Sequence, residues 1–179
     1  MNRSRHTALR RAQWLALLPL GLMAGFFFAF AIDVGPAMAQ LDAATYVTTQ
    51  QAINRVVRNA GFGAAFFGAA LLPWTVAALA LWAGARRHAL GWAAVALAYC
   101  VAVVGVTSGI NVPINEALAG WNPQQPPPDW QAVRARWNQA NAWRAWAALA
   151  VFAAAAWLAG QPPGQRLRGQ ACPARQTDP

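Results

Sequence analysis

Four uncharged apolar runs leave this chain few possible folds: Trp14 to Ile32, Gly61 to Gly84, Leu90 to Ile110, and Ala145 to Gly160. The ionisable side chains inside them are Tyr99 and Cys100, both neutral at pH 7 in ordinary surroundings. Crossing a hydrocarbon core of about 30 Å takes about 20 helical residues at roughly 1.5 Å each. The first three runs are long enough, and the fourth must extend upstream through Arg144. In lipid every backbone N–H and C=O needs an internal partner, and the runs lack the alternation of barrel strands, so they are helices. The expected fold is all-α, an integral membrane four-helix bundle over residues 14–160 with spans at about 14–32, 61–84, 90–110 and 140–160. Residues 1–13 form a cytoplasmic N-terminal segment and 161–179 a disordered cytoplasmic tail. A soluble bundle with a buried core is the alternative home for such runs. Composition argues against it: the 179 residues are 58% apolar and 11% charged, where a soluble domain has roughly 45–50% and about 25%.

The net charge of +9 comes from arginine without a single lysine. Its clusters sit between the apolar runs instead of lining one face, which flanks membrane spans and speaks against nucleic acid as a partner. Arg3, Arg5, Arg10, Arg11, Arg86, Arg87, Arg166, Arg168 and Arg175 fall on one side; Arg55, Arg58, Arg134, Arg136 and Arg144 fall on the other with Asp33, Asp42, Glu116 and Asp129. The positive-inside rule then puts both termini in the cytoplasm and the long loops outside. Trp121, Trp130, Trp137, Trp143 and Trp146 near the outer face, with Trp14, Trp82, Trp92 and Trp157 near the inner one, fit aromatic belts. Arg10-Arg11 before an apolar run and Ala37-Met38-Ala39 after it resemble a signal peptide, but the run is too long for a signal core. Cys100 lies mid-membrane and Cys172 in the tail on the reducing side, so no disulfide is expected. An arginine-, alanine- and tryptophan-rich chain without lysine suits the inner membrane of a bacterium with a GC-rich genome.

The informative polar residues lie between the spans. From Leu41 to Ala60, Tyr46, Ile53, Val57 and Ala60 recur at helical spacing while Gln50, Gln51, Asn54, Arg55 and Arg58 take other positions, so an outer amphipathic helix starting near Asp42 joins spans one and two. Either it lies on the interface with a solvated polar side, or it points Gln51, Asn54 and Arg58 over the bundle's mouth. Span three ends in Asn111-Val112-Pro113-Ile114-Asn115-Glu116. Pro113 cannot donate to the Gly109 carbonyl, so a kink is expected there, with Asn111 and Asn115 either capping the helix or sharing an inward face. Pro126-Pro127-Pro128 makes a stiff turn, and Asp129 is placed to cap the last helix, on which Trp137, Asn141 and Arg144 share a face. Arg144 stands about 24 Å from Gly160 by helical rise. At that depth it must snorkel as an interfacial anchor or be paired, and Asp33 and Glu116 are the acids at comparable depth.

The two histidines, His6 and His88, belong to the other side, so no His-based metal site forms at the outer mouth. Phosphate-binding glycine loops, CxxC pairs and Ser–His–acid sets are missing as well.

The first span with Gly35-Pro36, the Gln51-Ala52-Ile53-Asn54 helix, the Asn111 to Asn115 motif, and Trp137, Asn141 and Arg144 leading the last span together resemble the anthrone-oxygenase-like family, over about residues 17 to 159. The specificity lies in the order and spacing of the motifs. The resemblance implies a four-helix membrane bundle and, in the best-understood members, a monooxygenase that turns anthrones into anthraquinones with molecular oxygen and no evident cofactor. The family pattern marks Gln51, Asn54, Asn111, Pro113, Asn115, Trp137, Asn141 and Arg144. Within that cluster Arg144 with Asn111, Asn115 and Asn141 is expected to supply catalytic donors where an anion develops, as an oxyanion hole does, and Gln51, Asn54 and Trp137, together with the acids Asp33 and Glu116 at the same depth, are the candidate substrate-binding groups; no metal or cofactor is expected. Asp33 or Glu116 is then the candidate base. The partners implied are the bilayer and an apolar aromatic small molecule. A non-catalytic membrane protein that binds or transports an apolar ligand uses the same bundle, as does a structural partner of a membrane complex.

Overall fold

The helices of this chain change their winding at π-helical turns in the first and third spans. The computed structural model describes residues 3–162; the expected tail, with Cys172 and the last three arginines, falls almost wholly outside them. Helix α1 (Arg3–Ala29) passes into a π-helical turn at Phe30–Val34 and then α2 (Gly35–Met38). The connector helix α3 (Ala43–Val56) starts where expected, at Asp42, whose carboxylate accepts from the Thr45 N–H at 3.0 Å and the Thr45 hydroxyl at 2.7 Å. It ends earlier than the periodicity implies. Asn59 caps α4 (Ala60–Trp82) by accepting from the Phe62 N–H at 2.9 Å, so Ala60 opens a new helix instead of continuing the apolar face of α3.

Gly84, at φ +76°, turns the chain into α5 (Arg86–Tyr99). This helix runs on through π-helical Cys100–Gly105 and Thr107–Asn111 into α6 (Val112–Ala119). Helix α7 (Trp130–Gly160) closes the chain. Asp129 stands at its start without capping it: its backbone, at φ −93° and ψ 11°, lacks the extended shape that lets a cap carboxylate reach back.

The π-helical turns at Phe30–Val34 and Thr107–Asn111 each run up to a proline, Pro36 and Pro113, whereas Pro19 and Pro73 sit inside α1 and α4 without such a turn. A proline offers no N–H and its ring presses on the carbonyl four residues back. Widening the winding to a five-residue step relieves that pressure: the Gly35 N–H reaches the Phe30 carbonyl and the Val112 N–H the Thr107 carbonyl. A Cβ on Gly35 would lie 3.1 Å from that Phe30 carbonyl, so the first of these turns favours glycine. Pro113 is thus taken up by π-helical winding spread over the preceding turns, where the sequence alone pointed to a local kink.

Among the described residues, four helical stretches are long and apolar enough to cross a membrane: Ser4–Met38, Ala60–Trp82, Arg86–Ala119 and Trp130–Gly160. They form a closed ring in which α1 packs on α4 and α7, α4 on α5, and α5 on α7. Alanines such as Ala16, Ala24, Ala69, Ala80, Ala148 and Ala155 fill the contacts between helices and let the backbones approach closely. Large apolar side chains, among them Leu18, Leu22, Phe67, Leu71 and Leu97, point outward. A surface of this kind is solvated by lipid, and the protein is an all-α integral membrane bundle. Trp14, Trp82, Trp143, Trp146 and Trp157 are exposed as belt residues should be, but Trp92 and Trp137 are buried between helices.

A second apolar cluster closes the end where the connectors lie. Tyr46 and Val47 of α3 pack there with Phe30, Met38, Ile114, Leu118 and Trp137. Arg134 braces this layer, its guanidinium 5.3 Å from the Tyr46 ring centre and 4.8 Å from that of Trp130. Helix α3 is therefore a lid packed on the bundle, not a helix lying loose on the interface.

Candidate functional site

The chain sinks its polar groups into the ring of helices along two stripes. On α7, Trp137, Asn141 and Arg144 recur at helical spacing and all three are buried, Arg144 with 6% of its surface exposed. On the third span, Tyr99, Thr107 and Asn111 fall on a stripe of four-residue steps, with Tyr99 and Asn111 buried. The helices meet so that one Arg144 amino group donates to the Thr107 hydroxyl at 3.0 Å and the other to the Asn141 side-chain oxygen at 2.8 Å. The Thr107 hydroxyl in turn donates to the Val103 carbonyl at 2.6 Å. The guanidinium lies 4.6 Å from the centre of the Phe27 ring and 5.7 Å from that of Trp137.

The expected acid partner is not there. Asp33 and Glu116 are both exposed, and Arg144 takes its contacts from a hydroxyl, an amide and two rings. The π-helical winding ahead of Pro36 and Pro113 helps decide this, since one residue more per turn rotates the later residues about the helix axis. Nor is Arg144 an interfacial anchor, because it is enclosed. Among the described residues no carboxylate is paired with Arg144, and a buried charge without a counter-charge is costly.

Around Arg144 several polar atoms are left over. Its Nε has no partner, the Asn111 side-chain oxygen has none, and the Tyr99 hydroxyl, within electrostatic reach of the guanidinium, has none. Asn111 is part of the helix and caps nothing; its amide donates to the Trp137 carbonyl at 3.3 Å. Trp137 in turn donates from its indole to the Asn115 side-chain oxygen at 2.8 Å. A linked set results: Arg144, Asn141, Thr107, Asn111, Trp137 and Asn115, carried by α7 and by the wound-out third span.

The lid contributes in a different place. Gln51 donates to the Leu118 and Trp121 carbonyls, both at 3.0 Å, pinning α3 to the end of α6. Asn54 is buried and accepts from Gln50 at 3.1 Å, leaving its own amide without an acceptor. Arg58 is exposed. Three site neighbours escape a reading of the sequence: Gln50, Thr107 and Phe27. The first two carried a signal, since Gln50 stands one turn from Asn54 and Thr107 one turn from Asn111. Nothing in the sequence marks Phe27 among the neighbouring phenylalanines. At the opposite end Gln13 and Trp92 also bury unpartnered N–H groups, and His88 faces the Leu158 carbonyl at 3.0 Å.

Two open grooves run along the outside of α1, one of about 710 Å³ against α3 and α4 and one of about 830 Å³ against α7. Both are lined almost wholly by apolar side chains, and neither includes a residue of the Arg144 set.

A ring of four membrane helices with one arginine enclosed among a hydroxyl, amides and aromatic rings defines a class, that of small membrane bundles with a buried polar centre. The chain belongs to the anthrone oxygenase family, whose model matches residues 55–154, more than half of its length. Asn111, Pro113, Asn115, Trp137, Asn141 and Arg144 lie inside the matched stretch, whereas Gln51 and Asn54 lie just before it. No curated protein and no solved structure matches the chain.

Proposed function

We propose that this protein oxygenates a small apolar aromatic ketone of the anthrone type, with Arg144 stabilising the substrate's enolate. The observation that carries the reading is the buried guanidinium with a free Nε and no carboxylate against it. A positive charge held ready in a dry interior interacts more strongly with a negative charge that develops during reaction than it would in water. Arg144 would donate to the enolate oxygen, with Asn111, Asn115 and Asn141 fixing the ring system beside Trp137. Loss of a proton from the methylene carbon gives the enolate, which transfers an electron to oxygen; the two radicals join as a carbon-bound peroxide anion, which takes a proton back to become the hydroperoxide, and loss of water leaves the quinone. One molecule of oxygen is consumed per quinone, and the electrons come from the substrate itself.

The same reading keeps both termini on the cytoplasmic side of a bacterial inner membrane, with Arg144 in the outer half. The test is direct. Detergent-purified protein is incubated with anthrone, quinone absorbance and oxygen uptake are followed together, and Arg144→Met is run alongside. Quinone and oxygen rising and falling one to one, and both lost in Arg144→Met, are expected. A rate equal to that of the protein-free control, or full turnover by Arg144→Met, overturns the proposal.

A further inference from the structure

We propose that the apolar aromatic ligand reaches Arg144 sideways from the bilayer, through the groove between α1, α3 and α4. The inference rests on the reading of Arg144 above, and its test separates the two. The groove holds about 710 Å³, within the roughly 300–1,000 Å³ of small-molecule sites. Leu22, Met23 and Phe26 of α1, Ile53 of α3, and Phe62 and Ala65 of α4 form its wall.

Behind that wall a closed circuit of rings leads to the guanidinium by two routes. Along one, Phe26 meets Phe27 at 5.8 Å between ring centres, and Phe27 carries Arg144 at 4.6 Å. Along the other, Phe26 meets Phe62 at 5.3 Å, Phe62 stacks on Phe66 at 5.7 Å with 17° between planes, and Phe66 meets Tyr99 at 6.3 Å, whose hydroxyl is unpartnered within reach of Arg144. Each such aromatic pair is worth about 0.5–1.5 kcal/mol beyond its buried area, and a flat ring system that takes the place of one partner restores that contact as it moves inward.

From the water side the approach is closed. Helix α3 packs on the bundle end through Tyr46 and Val47, is tied to the end of α6 by Gln51, and buries Gln50 and Asn54 beneath it. An apolar tricyclic molecule partitions into lipid before it meets the protein, and the groove opens on the lipid-facing side of α1. The second groove, between α1 and α7, shares Leu22 and Phe26 with the first, but its farther lining, Trp14, Leu17 and Phe152, runs toward the opposite end of the bundle.

The experiment uses the full chain in phospholipid nanodiscs with benzophenone as photoprobe, and maps by peptide mass the share of labelling that excess anthraquinone suppresses. That share is expected on the peptides carrying Leu22 to Phe26 and Phe62 to Ala65, and also on the peptide carrying Asn141 and Arg144. Ala65→Trp, which fills the groove, is expected to reduce labelling at all three together by about tenfold, and to raise KM for anthrone about tenfold with kcat nearly unchanged, as loss of uniform binding does. Ala52→Trp fills the same groove from α3 and is expected to act alike, so a folding failure of one variant leaves the other. Labelling that anthraquinone does not suppress, or suppresses equally around Trp14 and Phe152, means plain solvation by acyl chains and overturns the proposal. Suppressible labelling at Arg144 that survives both tryptophans overturns it too. Suppressible labelling that both tryptophans abolish, in a protein that makes no quinone, upholds the route and overturns the oxygenase reading alone.

Discussion

Replacing Arg144 by methionine tests whether the guanidinium is kept for its chemistry or for the fold. Methionine keeps an unbranched side chain of comparable reach and removes the charge. Exchanging buried ionic groups for apolar ones of similar volume is often neutral or stabilising by about 1–4 kcal/mol, because the desolvation penalty disappears. Against this, the Asn141 oxygen that accepts at 2.8 Å is orphaned, costing about 1–3 kcal/mol. The bond to Thr107 across helices is lost, and such bonds average about 0.6 kcal/mol. Thr107 itself stays satisfied by the Val103 carbonyl. The opposing contributions are of equal size, and Arg144→Met is expected to unfold within about 2 kcal/mol of the wild type, in either direction. Unfolding in mixed micelles under increasing dodecyl sulfate, followed by circular dichroism, measures this, and anthrone turnover on the same preparations is expected to vanish. Had Arg144 been paired with Asp33 or Glu116, losing it would strand a carboxylate and destabilise by about 3–5 kcal/mol. A loss of that size in Arg144→Met, at unchanged turnover, would overturn this account and make Arg144 a structural lock. Arg144→Lys is expected to fold and not turn over, since one ammonium cannot hold the hydroxyl and the amide in the plane that a guanidinium does.

Burial pushes the Tyr46 hydroxyl up to about 12 from its ordinary value near 10, while Arg134 pulls it back. The folded protein then holds that proton longer than the unfolded chain, so stability is untouched below pH 10 and falls as pH rises from 10 to 12; melts across this window should lose that fall in Tyr46→Phe, and an equal slope in both proteins contradicts it. Asn59→Ala removes the cap of α4 and is expected to lower stability by about 1 kcal/mol, read by the same dodecyl sulfate titration, with no change meaning that water replaces the cap. Trp137→Phe keeps the ring contact with Phe30 at 5.0 Å but frees the Asn115 oxygen; a modest stability loss of about 1 kcal/mol is expected, together with a clear fall in turnover. A reporter active only outside the cytoplasmic membrane, fused at Pro126, is expected to give signal and at Arg87 none, and the reverse pattern would invert the orientation.

The parts of this molecule legible in its residues rest on chemistry that needs no neighbours. Four long uncharged runs cannot leave backbone groups unpaired in lipid, so the helices and the bundle could be read directly. Asp42 could be read as a helix start because its oxygen reaches amides only three residues on. Trp137, Asn141 and Arg144 could be placed on one face because helical spacing is a local property. The surroundings of that face depend on how the helices pack. Which hydroxyl meets Arg144 depends on the third span, whose π-helical turns lie between Cys100 and Asn111, where Thr107 meets the guanidinium while Glu116 beyond them is exposed. A change of one residue per turn is invisible in the sequence, yet it rotates everything beyond it. Trp92 and Trp137 read as belt residues by their position along the chain, and only packing against other helices showed them buried. Phe27 is one of several neighbouring phenylalanines on α1, and its place under Arg144 exists only because α1 and α7 lie side by side. Local spacing fixes which side chains share a face, whereas the partner across the interface belongs to another helix, and only the packed bundle chooses it.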